Sequence, residues 1–313
     1  MEGDRTLDLR IANATLSQLS YHPTERGGIL HYDGRVQIAP PYGYTEVVPF
    51  LKTSRVRLLA PGEAPPFVRQ SNAIPVSYTE FQLVAREYPI VFTTGDEGRN
   101  FAAVAVLGIT AAENLFYDGR AWASDAYVPA YARRYPFCMA RVTVDRQEHK
   151  DRLICVEKSH LDEEAGESMF DGEGRPATKW TEIERLLAEY EADLERSREM
   201  CAILGDYGLL EPFSMQATLA KEKGAGPMHL TGMHRVSERN LENLNAAQLK
   251  NLLRKGILAR IYLHLLSLEN FARLLDRKAA QRAPERETLG KESGGAKSEP
   301  VQPKSEKPSR RGR

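Results

Sequence analysis

The sequence predicts an α+β fold, in which a mainly antiparallel sheet is packed by helices and followed by a C-terminal helical pair and a disordered basic tail. Two observations predict the sheet and its helices. Short runs of β-branched and aromatic residues alternate with turn residues between residues 90 and 158. Apolar residues then recur at helical spacing over 178–205 and over 245–277. A third observation, the loss of nearly all large aliphatic residues from Ala279 onward, predicts the tail.

The composition is that of an ordinary globular protein, with 42% hydrophobic and 27% charged residues in a chain of 313. The formal net charge is zero, so no overall field draws the chain to nucleic acid, and we expect no nucleic-acid partner. The cysteines are few, widely spaced and without a CxxC motif, which argues against a disulfide scaffold and a structural zinc site. We expect Cys138, Cys155 and Cys201 to be small buried residues.

The composition also divides the chain into three parts. Residues 1–45 are predicted to be a weakly ordered N-terminal arm, and residues 46–278 the α+β domain. Residues 279–313 hold nine Lys and Arg residues against five Asp and Glu residues, which leaves residues 1–278 with a net charge of −4. We interpret this tail as solubilising, with binding to nucleic acid or anionic lipid as the alternative.

Apolar segments bounded by turn residues predict one antiparallel sheet of about five to seven strands. They are "IVFTT" (90–94), "FAAVAVLGI" (101–109), "FCMARVTV" (137–144), "RLICVEK" (152–158) and a hairpin of "SMQATLA" (214–220) and "MHLTGMHRV" (228–236). His229 and His234 are five residues apart in the last of these strands. Regular alternation would point them to opposite faces, so they make a poor metal pair.

The clearest predicted helix covers residues 178–205, and a capping box of Thr181 and Glu184 is expected at its start. The C-terminal pair consists of a helix that closes at Gly256 and one continuous helix from Ile257 to about residue 278. His264 lies among apolar residues of that second helix. We therefore interpret it as a hydrogen-bonded core or edge histidine in preference to a ligand or catalyst.

One short pattern occurs twice, as "AREYPIVFT" (85–93) and "ARRYPFCMA" (132–140). The structural interpretation is a switch from helix to strand, with helices at 78–88 and 124–135 that proline ends and with arginines in their last turns. The functional alternative is that Arg86 and Arg133 converge on one anionic ligand, because a guanidinium group matches carboxylate or phosphate.

Aromatic residues, arginines and an asparagine are concentrated in residues 108–137. Such a mixture suits a recognition surface, and it equally suits an aromatic core covered by arginine stems. The candidate ligand- or partner-binding residues are Arg86, Tyr88, Asn114, Trp122, Tyr127, Arg133, Arg134 and Tyr135.

No motif for catalysis, phosphate binding or a metal site occurs: GxGxxG, a Walker loop, HExxH, GxSxG and an EF-hand loop are all absent from the sequence. We therefore expect no catalytic residues, no metal and no cofactor. An active site without a local signature stays an open alternative.

Several segments together resemble the bacterial SapC family, in this order: "YPIVFT", "AVLGI", "ENLF", "YVPAYARRYPF", "LLEP", "LTG" and "IYLHLLSLENFARLL". The resemblance extends from about Val47 to Leu275. It implies an association with bacterial surface layers, and gene neighbours that encode TonB-dependent receptors or flavin-dependent tryptophan-halogenase-like proteins. It implies no catalytic residues.

We therefore expect a non-catalytic accessory or interaction protein of the cell envelope or surface layer, with a partner protein there or a neighbouring-gene enzyme. The alternative is a partner of a modifying enzyme, or an enzyme itself, that binds a small molecule or peptide through residues 108–137. The first residues carry no secretory signal and no long apolar run. A cytoplasmic location is expected, and the surface layer would require another export route.

Overall fold

A computed structural model of the chain describes residues 8–10, 30–32, 36–96, 98–144, 147–217 and 228–292. Within these ranges the strands are β1 (Asp8–Arg10), β2 (Leu30–Tyr32), β3 (Val36–Ile38), β4 (Val47–Pro49), β5 (Arg55–Val56), β6 (Ala73–Pro75), β7 (Ile90–Thr94), β8 (Phe101–Val106), β9 (Phe137–Val144), β10 (Gln147–Glu157), β11 (Glu167–Ser168), β12 (Leu210–Ala217) and β13 (Met228–Val236). The α-helices are α1 (Phe81–Val84), α2 (Ala130–Arg133), α3 (Thr178–Asp206), α4 (Glu238–Glu242), α5 (Ala246–Arg254), α6 (Ile257–Ser267) and α7 (Asn270–Glu292).

The strands divide between two large sheets, whereas the sequence predicted one. The six-stranded sheet has the order β1-β13-β7-β8-β6, with β12 also paired to β13. The five-stranded sheet has the order β2-β3-β9-β10-β4, and β5 pairs separately with β11. Every described pair is antiparallel except β1 with β13, which confirms the predicted α+β class. The single-sheet prediction is wrong because β9 and β10 pair with N-terminal strands and not with β8.

The duplicated pattern is confirmed as a switch from helix to strand. α1 ends before Pro89 and leads into β7, and α2 ends before Pro136 and leads into β9. Both helices are shorter than predicted, at four residues each. β7 lies inside the six-stranded sheet and β9 inside the five-stranded sheet. Each copy therefore introduces an interior strand of a different sheet.

The long helix α3 is confirmed, and it packs against both sheets. Trp180 and Leu187 in its first half are buried beside Phe137 of β9. Cys201 and Leu204 in its second half are buried in the core of the six-stranded sheet. The expected capping box is wrong, because the helix begins at Thr178 after an Ala177 cap whose side chain accepts no hydrogen bond.

The C-terminal helices differ from the prediction in two ways. The predicted helix from Ile257 to residue 278 is interrupted after Ser267, and α7 begins at Asn270. α7 then continues past the predicted tail boundary at Ala279 to Glu292, although this stretch contains Pro284 and Gly290. The rest of the predicted tail, residues 293–313, lies outside the described residues, as does most of the predicted N-terminal arm.

His264 is confirmed as a hydrogen-bonded core residue, and it connects α6 to the six-stranded sheet. Its Nδ1 donates to the carbonyl of Ile90 at 2.8 Å, and its Nε2 accepts from the backbone N–H of Val236 at 3.1 Å. The hydroxyl of Ser267 accepts from the N–H of Ile90 at 2.9 Å. Both backbone groups of Ile90 are thereby satisfied by side chains of α6.

A bulge in β13 reverses the expected directions of His229 and His234. Phe213 pairs with Met233 and Met215 with Leu230, so β13 contains one extra residue between these pairs. Gly232 lies there with φ of +79°, a conformation that favours glycine. The extra residue brings His229 and His234 onto the same face, so the prediction of opposite faces is wrong.

Candidate functional site

A cleft of about 830 Å³ separates three parts of the chain. One wall is the loop 57–65, the second comes from residues 128–137, and the third is the first half of α3, from Lys179 to Leu186. Four of the eight residues predicted from the sequence line it: Trp122, Arg133, Arg134 and Tyr135. The structure therefore brings half of the predicted set to one concave surface.

The walls of the cleft are largely apolar. Its half-buried aliphatic side chains come from all three walls: Leu58, Leu59, Val128, Ile183 and Leu186. Trp122 adds an aromatic surface that is 7% exposed. Partly exposed apolar side chains in a concave site gain free energy when a ligand covers them.

The charged side chains that line the cleft are mostly basic. Four are basic and two are acidic: Arg57, Arg133, Arg134 and Lys179 against Glu63 and Glu167. Lys179 pairs with Glu167 at 2.5 Å, so these two charges offset each other. Within the described residues the guanidinium of Arg57 makes no hydrogen bond or ion pair, and its side chain is exposed. The cleft therefore presents an excess of positive charge.

The backbone of Arg57 is fixed at both of its polar groups by His160. The N–H of Arg57 donates to the carbonyl of His160 at 2.8 Å. The Nδ1 of His160 donates to the carbonyl of Arg57 at 2.6 Å. The His160 ring is buried and packs edge-on against Tyr135, with 4.9 Å between ring centroids. His160 thus holds the start of the loop against the predicted residue Tyr135.

Arg134 is buried among tyrosines behind the cleft surface. Its guanidinium lies 4.1 Å from the ring centroid of Tyr131 and 4.7 Å from that of Tyr190. It also lies 3.8 Å from the carboxylate of Glu191. Burial raises the pKa of Tyr190 to about 12, although the Arg134 charge opposes this shift, so the tyrosine is neutral and offers its ring face. The Nε of Arg134 has no hydrogen-bond partner among the described residues.

Arg133 is positioned by a buried carboxylate. Glu80 is 5% exposed and accepts hydrogen bonds from the hydroxyl of Tyr127 at 2.8 Å and from the N–H of Ala130 at 2.5 Å. Arg133 donates from Nη2 to the Tyr127 hydroxyl at 2.8 Å and from Nε to the carbonyl of Val128 at 3.0 Å. The predicted residue Tyr127 therefore supports Arg133 without lining the cleft.

Tyr88 and Asn114 are structural in this arrangement. The hydroxyl of Tyr88 donates to the carbonyl of Tyr127 at 2.6 Å and accepts from Trp122 Nε1 at 3.0 Å. Burial raises the pKa of Tyr88 well above its ordinary value. Asn114 is 7% exposed, and its amide donates to the carbonyl of Val68 at 3.0 Å. Both residues hold the loops behind the cleft and contribute no surface to it.

Arg86 lies outside the cleft that Arg133 lines. Its side chain is exposed, and its carbonyl accepts a hydrogen bond from Arg273 of α7 at 2.7 Å. The two arginines of the duplicated pattern therefore do not share this cleft. The other exposed arginine that lines this cleft is Arg57, which lies outside the duplicated pattern.

Sequence reasoning missed Arg57, His160 and the loop 57–65. The loop sequence "RLLAPGEAP" gave a signal, since an apolar pair between an arginine and a proline- and glycine-rich turn is typical of an exposed binding loop. His160 gave none, because its role depends on a contact with a residue far away in the sequence.

In the described part of the chain, no three His, Cys, Asp or Glu side chains are grouped closely enough to hold a metal ion. None of the helices in the same ranges is both long and apolar enough to cross a bilayer.

The fold and the cleft define an α+β protein with a candidate binding site made of apolar and basic side chains. The sequence model of the SapC family matches residues 57–274, and the chain belongs to the SapC family. The matched region contains every residue that lines the cleft. No curated protein and no solved structure matches the chain.

Proposed function

We propose that this SapC-family chain is a non-catalytic accessory protein of the bacterial cell envelope or surface layer, and that it holds a segment of a partner protein in the cleft. The observation that carries the proposal is the shared position of Trp122, Arg133, Arg134 and Tyr135 in the cleft walls. Tryptophan, tyrosine and arginine are the residues that contribute most to protein interfaces.

The rigidity of the cleft supports a binding role. The backbone of Arg57 is fixed through His160, and the side chain of Arg133 is fixed through Tyr127 and Val128. Side chains and loops that are held in place before binding lose little conformational entropy when a ligand arrives. A partner segment therefore keeps more of the free energy that its contacts supply.

A crosslinking experiment in living cells tests this binding role. A photoreactive amino acid replaces Ala60, which is exposed and lines the cleft, and in a control it replaces Leu253, which is 66% exposed on α5. Irradiation is expected to join a partner protein to position 60 and not to position 253. No adduct at position 60, or equal adducts at both positions, contradicts the proposal.

The proposed compartment is the cytoplasmic side of the envelope. Fractionation of native cells and protease treatment of intact cells, with the endogenous chain detected by antibody, test the location. Protection from protease together with a partner of the envelope is the expected result. Degradation of the chain on intact cells would instead support a position in the surface layer.

The second candidate is a small-molecule- or peptide-binding partner of a modifying enzyme. The volume of the cleft favours it, because about 830 Å³ lies within the range of small-molecule sites, roughly 300–1,000 Å³. Native mass spectrometry of the chain purified from its own cells tests this candidate. A small molecule retained by the chain and lost on substitution of Arg57 would favour it over the protein partner.

A further inference from the structure

We infer that the cleft recognises an extended acidic segment of a partner protein in which carboxylates alternate with large aliphatic side chains. The inference rests on the proposed binding function and adds the chemistry of the ligand. Successive side chains of an extended peptide point to opposite sides. One set of side chains meets the apolar walls, and the other meets the basic rim.

Charge complementarity selects an acidic partner. After the Lys179–Glu167 pair is set aside, Arg57 and Arg133 remain at the cleft surface against Glu63. The Glu63 carboxylate accepts the N–H of Ala60 at 3.0 Å and keeps its charge, so the basic residues remain in excess by one charge. The Arg57 guanidinium can pair with a partner carboxylate through its fork, and the Nη1 group of Arg133 can pair with another, since only Nε and Nη2 of Arg133 bind Val128 and Tyr127.

The start of α3 adds a second positive element beside Lys179. Ala177 caps this helix without a side-chain hydrogen bond, and the first turn contains no acidic residue. The positive end of the helix dipole therefore lies at the end of α3 that carries Lys179, and no acidic side chain of the first turn offsets it. This field favours the same ligand charge as the arginines.

Arg134 adds positive charge beneath the floor of the cleft. It is 4% exposed, it lines the cleft, and its Nε–H is without a hydrogen-bond partner among the described residues. A buried donor that is left unsatisfied is costly, and most such groups in native proteins have a partner. Because this Nε–H is buried, a ligand in the cleft meets the positive charge of Arg134 and not this donor.

The apolar walls select the other half of the ligand. Leu58 and Leu59 face the cleft from the loop, while Ile183 and Leu186 face it from α3. Aliphatic side chains of the ligand that lie between the loop and α3 bury apolar surface on both of these walls. The tail of the chain itself is a poor occupant, because residues 279–313 contain nine basic residues against five acidic ones and meet a rim of the same charge.

Calorimetric titration of the full chain with three peptides tests the inference. The probe is acetyl-Gly-Leu-Glu-Leu-Glu-Leu-Gly-amide, one control replaces both glutamates by lysine, and the other replaces the leucines by serine. Only the first peptide is expected to bind measurably. Its affinity is expected to fall as salt concentration rises, because salt screens the exposed charges.

Matched arginine variants locate the site. Arg57→Ala and Arg133→Ala are each expected to weaken binding of the acidic peptide about tenfold, as expected for a lost hydrogen bond to a charged group. Arg86→Ala, which changes the equivalent arginine of the duplicated pattern outside the cleft, is expected to leave the affinity unchanged. If Arg133→Ala disturbs folding through Tyr127, the Arg57→Ala variant still tests the site, since the Arg57 guanidinium makes no hydrogen bond or ion pair within the described residues.

Three results would overturn the inference: equal binding of the acidic and basic peptides, no binding of the acidic peptide, or an affinity insensitive to Arg57→Ala. These results are distinguishable from a failure of the proposed function. If position 60 still crosslinks to a partner in cells, the binding function stands and only the acidic chemistry is wrong. If neither position 60 nor the peptide gives binding, both proposals fail.

Discussion

Replacing His264 by leucine tests how α6 is fixed to the six-stranded sheet. Leucine keeps most of the buried volume but leaves the carbonyl of Ile90 and the N–H of Val236 without their partners on α6. Each buried backbone group without a partner costs about 1–3 kcal/mol, so the free energy of unfolding is expected to fall by about 2–6 kcal/mol at neutral pH. Leu266→Ala, on the exposed face of the same helix at 65% exposure, is the matched control.

The same variant has a defined pH dependence. Burial lowers the pKa of His264 from 6.5 to about 4, because the imidazolium ion loses its hydration in the core. Between these values the unfolded chain binds a proton that the folded chain does not bind. The contribution of His264 to the free energy of unfolding of the wild type is therefore fully present above pH 6.5 and falls by about 3 kcal/mol as the pH drops to 4. The leucine variant has no such group to titrate. The difference in free energy of unfolding between wild type and variant is therefore expected to be smaller at acid pH than at neutral pH.

Urea denaturation followed by circular dichroism, at about pH 7 and again near pH 4.5, measures both effects. Leu266→Ala is expected to stay within about 0.5 kcal/mol of wild type at both values. A loss below about 1 kcal/mol for His264→Leu at neutral pH would show that the two hydrogen bonds are unimportant. A difference that is the same at both pH values would show that His264 does not titrate on unfolding.

Three further predictions concern the rest of the fold. Ending the chain at Gly256 removes four buried apolar side chains worth roughly 1.5–3 kcal/mol each, so the cooperative thermal transition is expected to disappear; a retained cooperative melt would contradict this. Arg134→Met is expected to cost about 3 kcal/mol in urea denaturation, because a charged partner of Glu191 and the tyrosine contacts are lost, whereas Arg133→Met should cost less than about 1 kcal/mol. Burial raises the pKa of the thiols of Cys155 and Cys201 to about 12, so neither thiol is expected to react with a disulfide reagent at neutral pH until urea is added. A fast reaction of the native chain at these thiols would refute their burial.

Elements with a strong local pattern could be predicted from the sequence. α3 has apolar residues at helical spacing, and the switch from α1 to β7 has a proline at the boundary, so both were identified correctly. The division into two sheets could not be predicted in the same way. The pairing of strands depends on contacts between segments that are distant in sequence, such as β3 and β9. No local sequence pattern specifies which strands pair.

Two local features also escaped prediction. One glycine in an otherwise regular strand, Gly232, permits the bulge that brings His229 and His234 onto one face. The break between α6 and α7 occurs in "SLEN", which contains neither glycine nor proline. There, buried contacts on both sides outweigh the preference of the chain for a continuous helix.

Half of the candidate site residues predicted from the sequence line the cleft, because residue type can be read locally whereas the position of a side chain in the fold cannot. Residue type drew attention to Trp122, Arg133, Arg134 and Tyr135, which share the cleft. Sequence alone could not distinguish Arg133 from Arg86, since both occur in the same short pattern. The difference arises from the loop 57–65 and from α3, which approach only the second copy.

The position of α3 across both sheets has a consequence for folding cooperativity. One continuous helix of 29 residues contributes its first half to the core beside β9 and its second half to the core beside β8. Neither sheet can lose its cover without unwinding a helix that the other sheet also needs. The two sheets therefore act as one cooperative unit, in which amide protons of β8 and β9 exchange through the same global opening.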